Sequence, residues 1–206
     1  MPRDKTSTHL KLVACIRQEF LAYGYEKASL KNIASNTGIT PAGIYRHFAS
    51  KQAMFAAMVE PIASEFLDNC TGSMEETFEN FSEEDFLEHF NEFRAQKNRE
   101  FICYAYDNYD VFRLLLCCSK GTPYEDYQHR LIQIEQQNVL DLFHFMDQRG
   151  IPHNTVTPDE LHIICATLVG SACEAVRHEY TREQALKHID FLGTLLYPGM
   201  KNVLGF

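Results

Sequence analysis

Long apolar runs are absent from this sequence. No stretch approaches the roughly 20 consecutive apolar residues that a membrane-spanning helix needs. The N-terminus also lacks the apolar segment of about 7–15 residues that is typical of a signal peptide. These absences argue against a membrane protein and against a secreted one, so we expect a cytoplasmic protein that has no membrane partner.

Regular cysteine spacing is absent as well. The chain has seven cysteines, an odd number, and none forms a Cys-x-x-Cys pair. Cys117 and Cys118 are adjacent and His162 lies three residues before Cys165, but neither spacing is typical of a metal site. We expect small, buried, reduced thiols and no metal or other cofactor. A metal-sensing or redox-sensing role stays open as an alternative.

The usual signs of catalysis are missing too. The sequence shows no paired carboxylates, no nucleophile next to a base and no glycine-rich phosphate loop. We therefore expect no enzyme activity. Because catalytic residues are often far apart in a sequence, a helical enzyme that contains a DNA-binding motif stays open as a second alternative.

What the sequence does have is an uneven distribution of charge. Nineteen Lys and Arg residues against 28 Asp and Glu residues give a net charge of -9. Residues 1–60 contain eight basic and four acidic residues, which is +4, so residues 61–206 carry -13. A basic segment on an acidic body favours a module that binds a polyanion. On charge alone, chance plus an ordinary solvated surface explains the asymmetry equally well.

Helical periodicity extends over almost the whole chain, and strand signals are nearly absent. The pattern predicts an all-α fold of about nine helices, with an N-terminal three-helix domain followed by a larger helical bundle. Thr122, Thr157 and Thr181 are the predicted N-caps of the last three helices, each with Glu or Gln three residues on. Pro61 predicts a kink. The predicted helices are one that ends at Gly24, then 29–36, 40–47, 51–70, one opened by Ser82, 98–119, 124–149, 158–180 and 182–197.

The stretch ITPAGIYRHFASK at residues 39–51 follows a short helix and a tight turn at Gly38, which is helix-turn-helix spacing. In this motif the second helix enters the major groove of DNA. Small residues at its start allow close approach, and longer polar ones reach base edges or phosphates. A plain three-helix core with solvent-facing polar residues is the alternative, although Gly43 inside a helix costs about 1 kcal/mol relative to Ala. The small residues are Pro41, Ala42 and Gly43, and the longer ones are Tyr45, Arg46, His47 and Lys51.

Residues 20–59 resemble the DNA-binding domain of TetR-type transcriptional regulators. The pattern is met by Gly24-Tyr25, Ser29, Ile33-Ala34, Gly38-Ile39, Ile44-Tyr45, His47-Phe48 and Lys51. The resemblance implies a homodimer on a near-palindromic operator, with a DNA-binding domain at 1–50 and an effector-binding and dimerisation domain at 51–206. By the same resemblance, Pro41, Ala42, Gly43 and Arg46 read bases, and Ser29, Thr40, Tyr45, His47 and Lys51 contact phosphates. Pro61 is not part of the family pattern.

Residues 78–116 are rich in aromatic side chains. The plain interpretation is that they are core, and the functional one is that some line a pocket for an apolar or aromatic effector, with an amide to orient it. Phe78, Phe81 and Phe86 belong to the same segment. The candidate ligand-binding residues are Phe66, Phe90, Phe93, Tyr104, Asn108, Phe112 and Phe143.

The last two long helices carry small residues and surplus leucines, which predicts a four-helix dimer interface. The same residues would look identical if they packed inside one subunit. The candidate interface residues are Leu161, Ala166, Gly170, Ile189, Leu192 and Leu196.

The sequence therefore predicts a DNA-binding transcriptional regulator, a repressor released from its operator by a small apolar or aromatic effector. A DNA-binding dimer without an effector is the main alternative. A closed, fully packed core after residue 78 would favour that alternative, and a cavity of a few hundred Å³ would favour the effector-binding repressor.

Overall fold

The computed structural model describes residues 5–71 and 83–205 of the chain. In these residues all regular secondary structure is helical, which confirms the all-α prediction. No helix in this part of the chain is both long and apolar enough to cross a membrane. A five-residue π-helix, Leu114–Cys118, accompanies the α-helices. The α-helices are α1 Lys5–Lys27, α2 Leu30–Thr37, α3 Pro41–Ile44, α4 Lys51–Cys70, α5 Glu83–Asp107, α6 Tyr109–Arg113, α7 Tyr127–Arg149, α8 Pro158–Arg177 and α9 Arg182–Leu204.

The chain packs into two compact units. The N-terminal unit comprises Met1–Ser64 and Asp110–Asp126, and the C-terminal unit comprises Glu65–Tyr109 and Tyr127–Phe206. Helix α4 contributes its first part to one unit and its last six residues to the other. The division of function at residue 50 stays a prediction.

The core of the N-terminal unit follows from the spacing of apolar residues on α1. Leu12, Ile16 and Phe20 lie four residues apart and are fully buried. Phe20 meets Phe55 of α4 edge-on, with 5.3 Å between ring centroids. Each such buried side chain stabilises the fold by about 1.5–3 kcal/mol. Gly24 interrupts α1 as predicted, because its φ of 71° is a conformation that favours glycine.

Helix α5 differs from the prediction of two helices that divide near residue 98. It runs without interruption to Asp107, since residues 94–99 contain neither Gly nor Pro and so offer no reason to stop. The break comes at Asn108, whose backbone N–H and side-chain amide both donate to the Tyr104 carbonyl at 3.1 Å. The predicted cap Ser82 lies outside the described residues, together with Phe78, Phe81 and the side chain of Phe86.

The predicted helix start at Thr122 is wrong by about one turn. The Thr122 hydroxyl donates to the Ser119 carbonyl at 2.6 Å and accepts from the Tyr124 N–H at 3.1 Å, which closes a local turn. Helix α7 begins only at Tyr127. A Thr-Pro pair therefore marks a turn here, because its hydroxyl is buried and used before any helix begins.

The other two predicted caps are confirmed. Thr157 and Thr181 each form a capping box, with Glu160 and Gln184 respectively. Helix α8 ends three residues earlier than predicted, and α9 continues to Leu204 through Pro198.

Helix α4 continues through Pro61 to Cys70, and a kink at this proline stays a prediction. The carbonyl that loses its partner belongs to Ala57, and both Ala57 and Pro61 are exposed. Water can solvate that carbonyl, so the missing hydrogen bond is tolerated.

Candidate DNA-binding surface and effector cavity

The helix-turn-helix is built by three local hydrogen bonds. Ser29 caps α2 by accepting from the Asn32 N–H at 3.4 Å, and Thr40 caps α3 by accepting from the Gly43 N–H at 3.1 Å. Between them Gly38, at φ 68°, donates its N–H to the Ala34 carbonyl at 2.9 Å. Each capping hydroxyl keeps its own proton, which remains available to a phosphate oxygen.

Helix α3 is shorter than the predicted 40–47. It ends at Ile44, and residues 45–47 continue as turns in which the His47 and Phe48 N–H groups donate to the Ile44 carbonyl at 2.9 and 3.2 Å. Ile44 is fully buried and anchors the segment. Around it, the side chains that face solvent are Pro41, Ala42, Tyr45, Arg46 and His47. These five predicted DNA-binding residues therefore share one exposed segment.

Gly43 is buried, unlike its neighbours in the segment. A Cβ at this position would lie 2.7 Å from the Ile39 Cγ2, closer than side-chain carbons approach one another. The structure thus supplies a packing reason for this glycine that is independent of DNA.

Lys51 is half-buried and has partners inside the protein. Its ammonium donates to the Glu26 carbonyl at 3.2 Å and lies 4.9 Å from the centre of the Tyr25 ring. Burial lowers the pKa of Lys51, and the charge of Glu19 opposes that shift. Lys51 therefore connects the start of α4 to the end of α1, and this structural role is independent of any contact with phosphate.

Two residues near this surface were missed by the sequence reasoning. His9 of α1 lies beside His47, with 5.4 Å between ring centroids. The buried Glu19 accepts from the Ser29 N–H at 2.8 Å and the Asn32 amide at 3.1 Å, and so fixes the start of α2. Nothing in the local sequence signals either contact, because both join residues that are ten or more positions apart.

The C-terminal unit contains a cavity of about 540 Å³. Of the predicted ligand-binding residues, Phe66, Phe93 and Tyr104 line it. Phe66 stacks on Tyr104 and is tilted against Phe101, each at 5.2 Å between ring centroids. The wall also contains a group of aliphatic residues that the prediction did not include, namely Leu131, Ile134, Leu168, Val169, Ile189, Leu192 and Leu196.

The other four predicted ligand-binding residues lie elsewhere. Phe143 is buried in a core cluster, and Phe90 packs against that cluster. The Phe143 ring stacks on His153, with 4.4 Å between ring centroids. Asn108 ends α5, and Phe112 is fully buried in the N-terminal unit. Aromatic spacing on a helix indicates which residues are buried together, but it does not separate a packed core from a cavity wall.

Polar groups occupy one part of the cavity wall. Arg94 and Glu135 form an ion pair whose side chains are each 16% exposed. Burial alone would lower the pKa of Arg94, but the charge and hydrogen bond of Glu135 outweigh it and raise that pKa above its ordinary value. Asn98 donates to the Tyr197 hydroxyl. Burial raises the pKa of Tyr197, so this hydroxyl is neutral at physiological pH.

All seven cysteines are free thiols. Burial raises the pKa of Cys70 to about 11 and that of Cys165 to about 12, with the nearby charge of Glu135 adding to both shifts. Such thiols are protonated at neutral pH and react slowly. Within the described residues, no three His, Cys, Asp or Glu side chains converge on a point that could hold a metal ion.

The predicted dimer residues divide into two groups. Leu161, Ile189 and Leu192 are buried in the core of their own chain, and Leu196 lines the cavity, so their part in a dimer interface stays a prediction. Ala166 and Gly170 are only partly covered. The large apolar side chains that α8 and α9 expose most are different ones: Ile163 is 64% exposed, Phe191 61% and Leu195 59%.

Comparison with known proteins gives the N-terminal helices a family. Residues 12–58 match the family described as bacterial regulatory proteins, tetR family. Nucleoid occlusion factor SlmA of Haemophilus influenzae (strain PittGG) is 39% identical over 51 residues, which are 25% of this chain. The match spans only 23% of the length of that relative.

Solved structures extend the likeness over nearly the whole fold. A TetR-like transcriptional regulator from Rhodococcus sp. RHA1 superposes with a TM-score of 0.58 at 16% identity, covering 97% of this chain and 98% of that one. The regulator FadR from Bacillus subtilis, in complex with stearoyl-CoA, gives a TM-score of 0.55 at 12% identity, covering 91% and 97%. At these identities the likeness shows the fold.

A helix-turn-helix places its second helix in the major groove of DNA, and α2 and α3, which form this motif here, lie within the matched residues. Residues 12–58 therefore resemble the DNA-binding domain of tetR-family regulators, and the likeness over the rest of the chain is one of fold. Members of this family are generally DNA-binding proteins without enzyme activity.

Proposed function

We propose that this chain is a homodimeric transcriptional repressor that leaves its near-palindromic operator when a small apolar or aromatic effector occupies the cavity of the C-terminal unit. The observation that carries the proposal is the cavity itself. Its volume of about 540 Å³ lies in the range of roughly 300–1,000 Å³ that is usual for small-molecule sites.

The DNA-binding half of the proposal rests on the exposed segment after Thr40. Arg46 is long enough to donate two hydrogen bonds to a guanine, while Pro41 and Ala42 are small enough to let the backbone approach the groove. Tyr45 and His47 are exposed beside them and can donate to phosphates. The net charge of +4 in residues 1–60 favours the approach of this segment to DNA.

The effector half rests on the chemistry of the cavity wall. Aromatic and aliphatic side chains make up most of the wall, and burying an apolar ligand against them yields roughly 25 cal/mol per Å² before entropic costs. FadR from Bacillus subtilis, which has a similar fold, was solved in complex with stearoyl-CoA, whose acyl part is apolar and whose CoA part is charged. This supports the view that such a bundle can accommodate an apolar molecule.

The homodimer in this proposal is supported by Ile163, Phe191 and Leu195. Phe191 and Leu195 are four residues apart, so they lie on one face of α9. Apolar side chains that are about 60% exposed on a pair of packed helices favour burial against a second copy of the chain.

The test is an operator-binding titration with the full chain. DNA sites are first selected from a random duplex library, and the best site is then titrated in the presence of aromatic and lipid-like compounds. Zinc, copper and a thiol oxidant are run in parallel. Release by an apolar compound alone is the expected result. Release only by a metal or by the oxidant would contradict the proposal and assign sensing to the cysteines, and failure to select any DNA site would contradict the regulator itself.

A further inference from the structure

The charged side chains of the cavity wall come in two pairs. Arg94 pairs with Glu135, and Lys97 pairs with Glu100 at 3.1 Å. Among the described residues that line the cavity these four are the charged ones, so the formal charge of the wall is zero. The first pair is largely buried, and the second is half-exposed.

We infer that the effector carries no net charge and that its hydrogen-bonding head lies beside the Arg94–Glu135 pair, with its apolar part against the aliphatic wall. This inference rests on the proposed effector function and names the chemical class of the ligand. The uncharged amphipaths that fit are long-chain alcohols and primary amides.

The physical reason is that the buried pair is already matched. An anionic ligand at Arg94 would share the guanidinium with Glu135 and leave the largely buried site with a net negative charge, and a cationic ligand at Glu135 would leave it with a net positive charge. An unmatched charge in a largely buried site costs more than the new contact returns. A neutral head avoids this cost, because it adds no charge to the site.

Hydrogen-bonding groups for such a head lie around the pair. Asn98 uses its amide N–H on the Tyr197 hydroxyl, and Asn138 donates to the Cys70 carbonyl at 3.0 Å. Each of these amides keeps an oxygen that accepts hydrogen bonds. Each amide also keeps a second N–H, so an alcohol or a primary amide can both donate to these oxygens and accept from these N–H groups, whereas a carboxylate can only accept.

Ligands that share one alkyl group and differ only in the head group show the effect of ligand charge alone. Decan-1-ol, decanamide, decanoate and decylamine share one apolar chain, and the last two are ionised at pH 7. Their affinities for the full chain are measured by displacement of Nile red, an uncharged dye. The two neutral compounds should bind roughly a hundredfold more tightly than the two ions, which is about 2.7 kcal/mol.

Variants of the pair should reverse this preference. Glu135→Gln leaves Arg94 unmatched, so decanoate should gain at least tenfold over the unmodified chain. Arg94→Gln leaves Glu135 unmatched, so decylamine should gain instead. Glu183→Gln is the matched control, since it breaks the exposed ion pair with Lys187 on α9 and should change no affinity.

The outcomes are distinct. Tighter binding of either ion by the unmodified chain would overturn this inference and leave the effector proposal standing. Unchanged preferences in both Glu135→Gln and Arg94→Gln, checked for folding by thermal unfolding, would overturn it as well. Displacement by none of the four compounds would overturn this inference, whereas the effector proposal is decided separately by the operator-binding titration with aromatic and lipid-like compounds.

Discussion

At the scale of single residues, Lys51 shows how one side chain can serve both the fold and DNA. Its ammonium donates to the Glu26 carbonyl and lies against the Tyr25 ring, so it helps to hold α1 and α4 together. An ammonium has three donors, and the contact with Glu26 uses one of them. The proposed phosphate contact is therefore compatible with the position that the structure gives to this residue.

We predict that Lys51→Met weakens binding to all DNA sequences alike and lowers the slope of log affinity against log salt by about one unit per subunit, because one phosphate contact is lost. Loss of the contact with Glu26 should also lower the free energy of unfolding by about 1 kcal/mol. The measurements are operator binding at several salt concentrations and unfolding in urea. Lys187→Met, which removes the same charge from α9, should leave the salt slope unchanged. A lower stability with an unchanged slope would show that Lys51 serves the fold alone.

Gly43 shows what a sequence cannot tell about a glycine. Its place in a short helix indicated an unusual requirement, and close approach to DNA was the expected cause. The structure shows a second cause, the Ile39 Cγ2 only 2.7 Å from where a Cβ would stand. Helix propensity indicates that a glycine inside a helix lowers stability. Which neighbouring side chain requires the glycine depends on the path of the turn, and the sequence does not give that path.

At the scale of helices, the caps decided which predictions succeeded. Thr157 and Thr181 both cap the helices that were predicted to begin after them, since a cap involves residues only three positions apart. Thr122 failed because its hydroxyl is used by the Ser119 carbonyl, within a buried turn that only packing reveals. The two capping boxes were therefore predictable, whereas the start of α7 was not.

The candidate sites follow the same division. The exposed segment after Thr40 could be located from local pattern, because its position follows from the turn. The cavity wall could not, because it combines residues from α4, α5, α7, α8 and α9. Three of the seven aromatic and amide candidates reach it, and the aliphatic wall carried no signal that distinguishes it from core.

The dimer prediction belongs to this scale and now uses the exposed residues of α9. We predict that Phe191→Glu combined with Leu195→Glu shifts the protein from dimer to monomer, because two charges would be buried in the interface. Sedimentation velocity measures the change, and thermal unfolding checks that the monomer remains folded. Leu140→Glu changes an exposed leucine of α7 and should stay dimeric. A double variant that remains a dimer would exclude this face.

At the scale of the whole molecule, the proposal requires that the cavity and the DNA-binding segment be coupled. Moving a population from 1:99 to 99:1 takes about 5.5 kcal/mol of differential effector affinity. Helix α4 is the proposed route, because it begins at Lys51 and its last residues, including Phe66 and Cys70, line the cavity. An effector that contacts the end of this helix can bias where its start lies.

Narrowing the cavity tests that coupling, and the structure decides which residue to change. Ala105 is fully buried but does not line the cavity, so a large residue there would overpack the core instead. Ile134 of α7 does line it. We predict that Ile134→Trp abolishes release of the operator by the effector, because the indole takes the space of the ligand. Operator affinity measured without the effector should change less than about threefold.

Gln133→Trp is the matched control, since Gln133 is the exposed neighbour on the same helix. The chain has no tryptophan of its own, so the emission maximum reports each new indole directly. The emission maximum of Ile134→Trp should be blue-shifted, because its indole is buried. The emission maximum of Gln133→Trp should be that of an indole exposed to water. Retained release in an Ile134→Trp protein with a buried indole would show that the effector acts from another site.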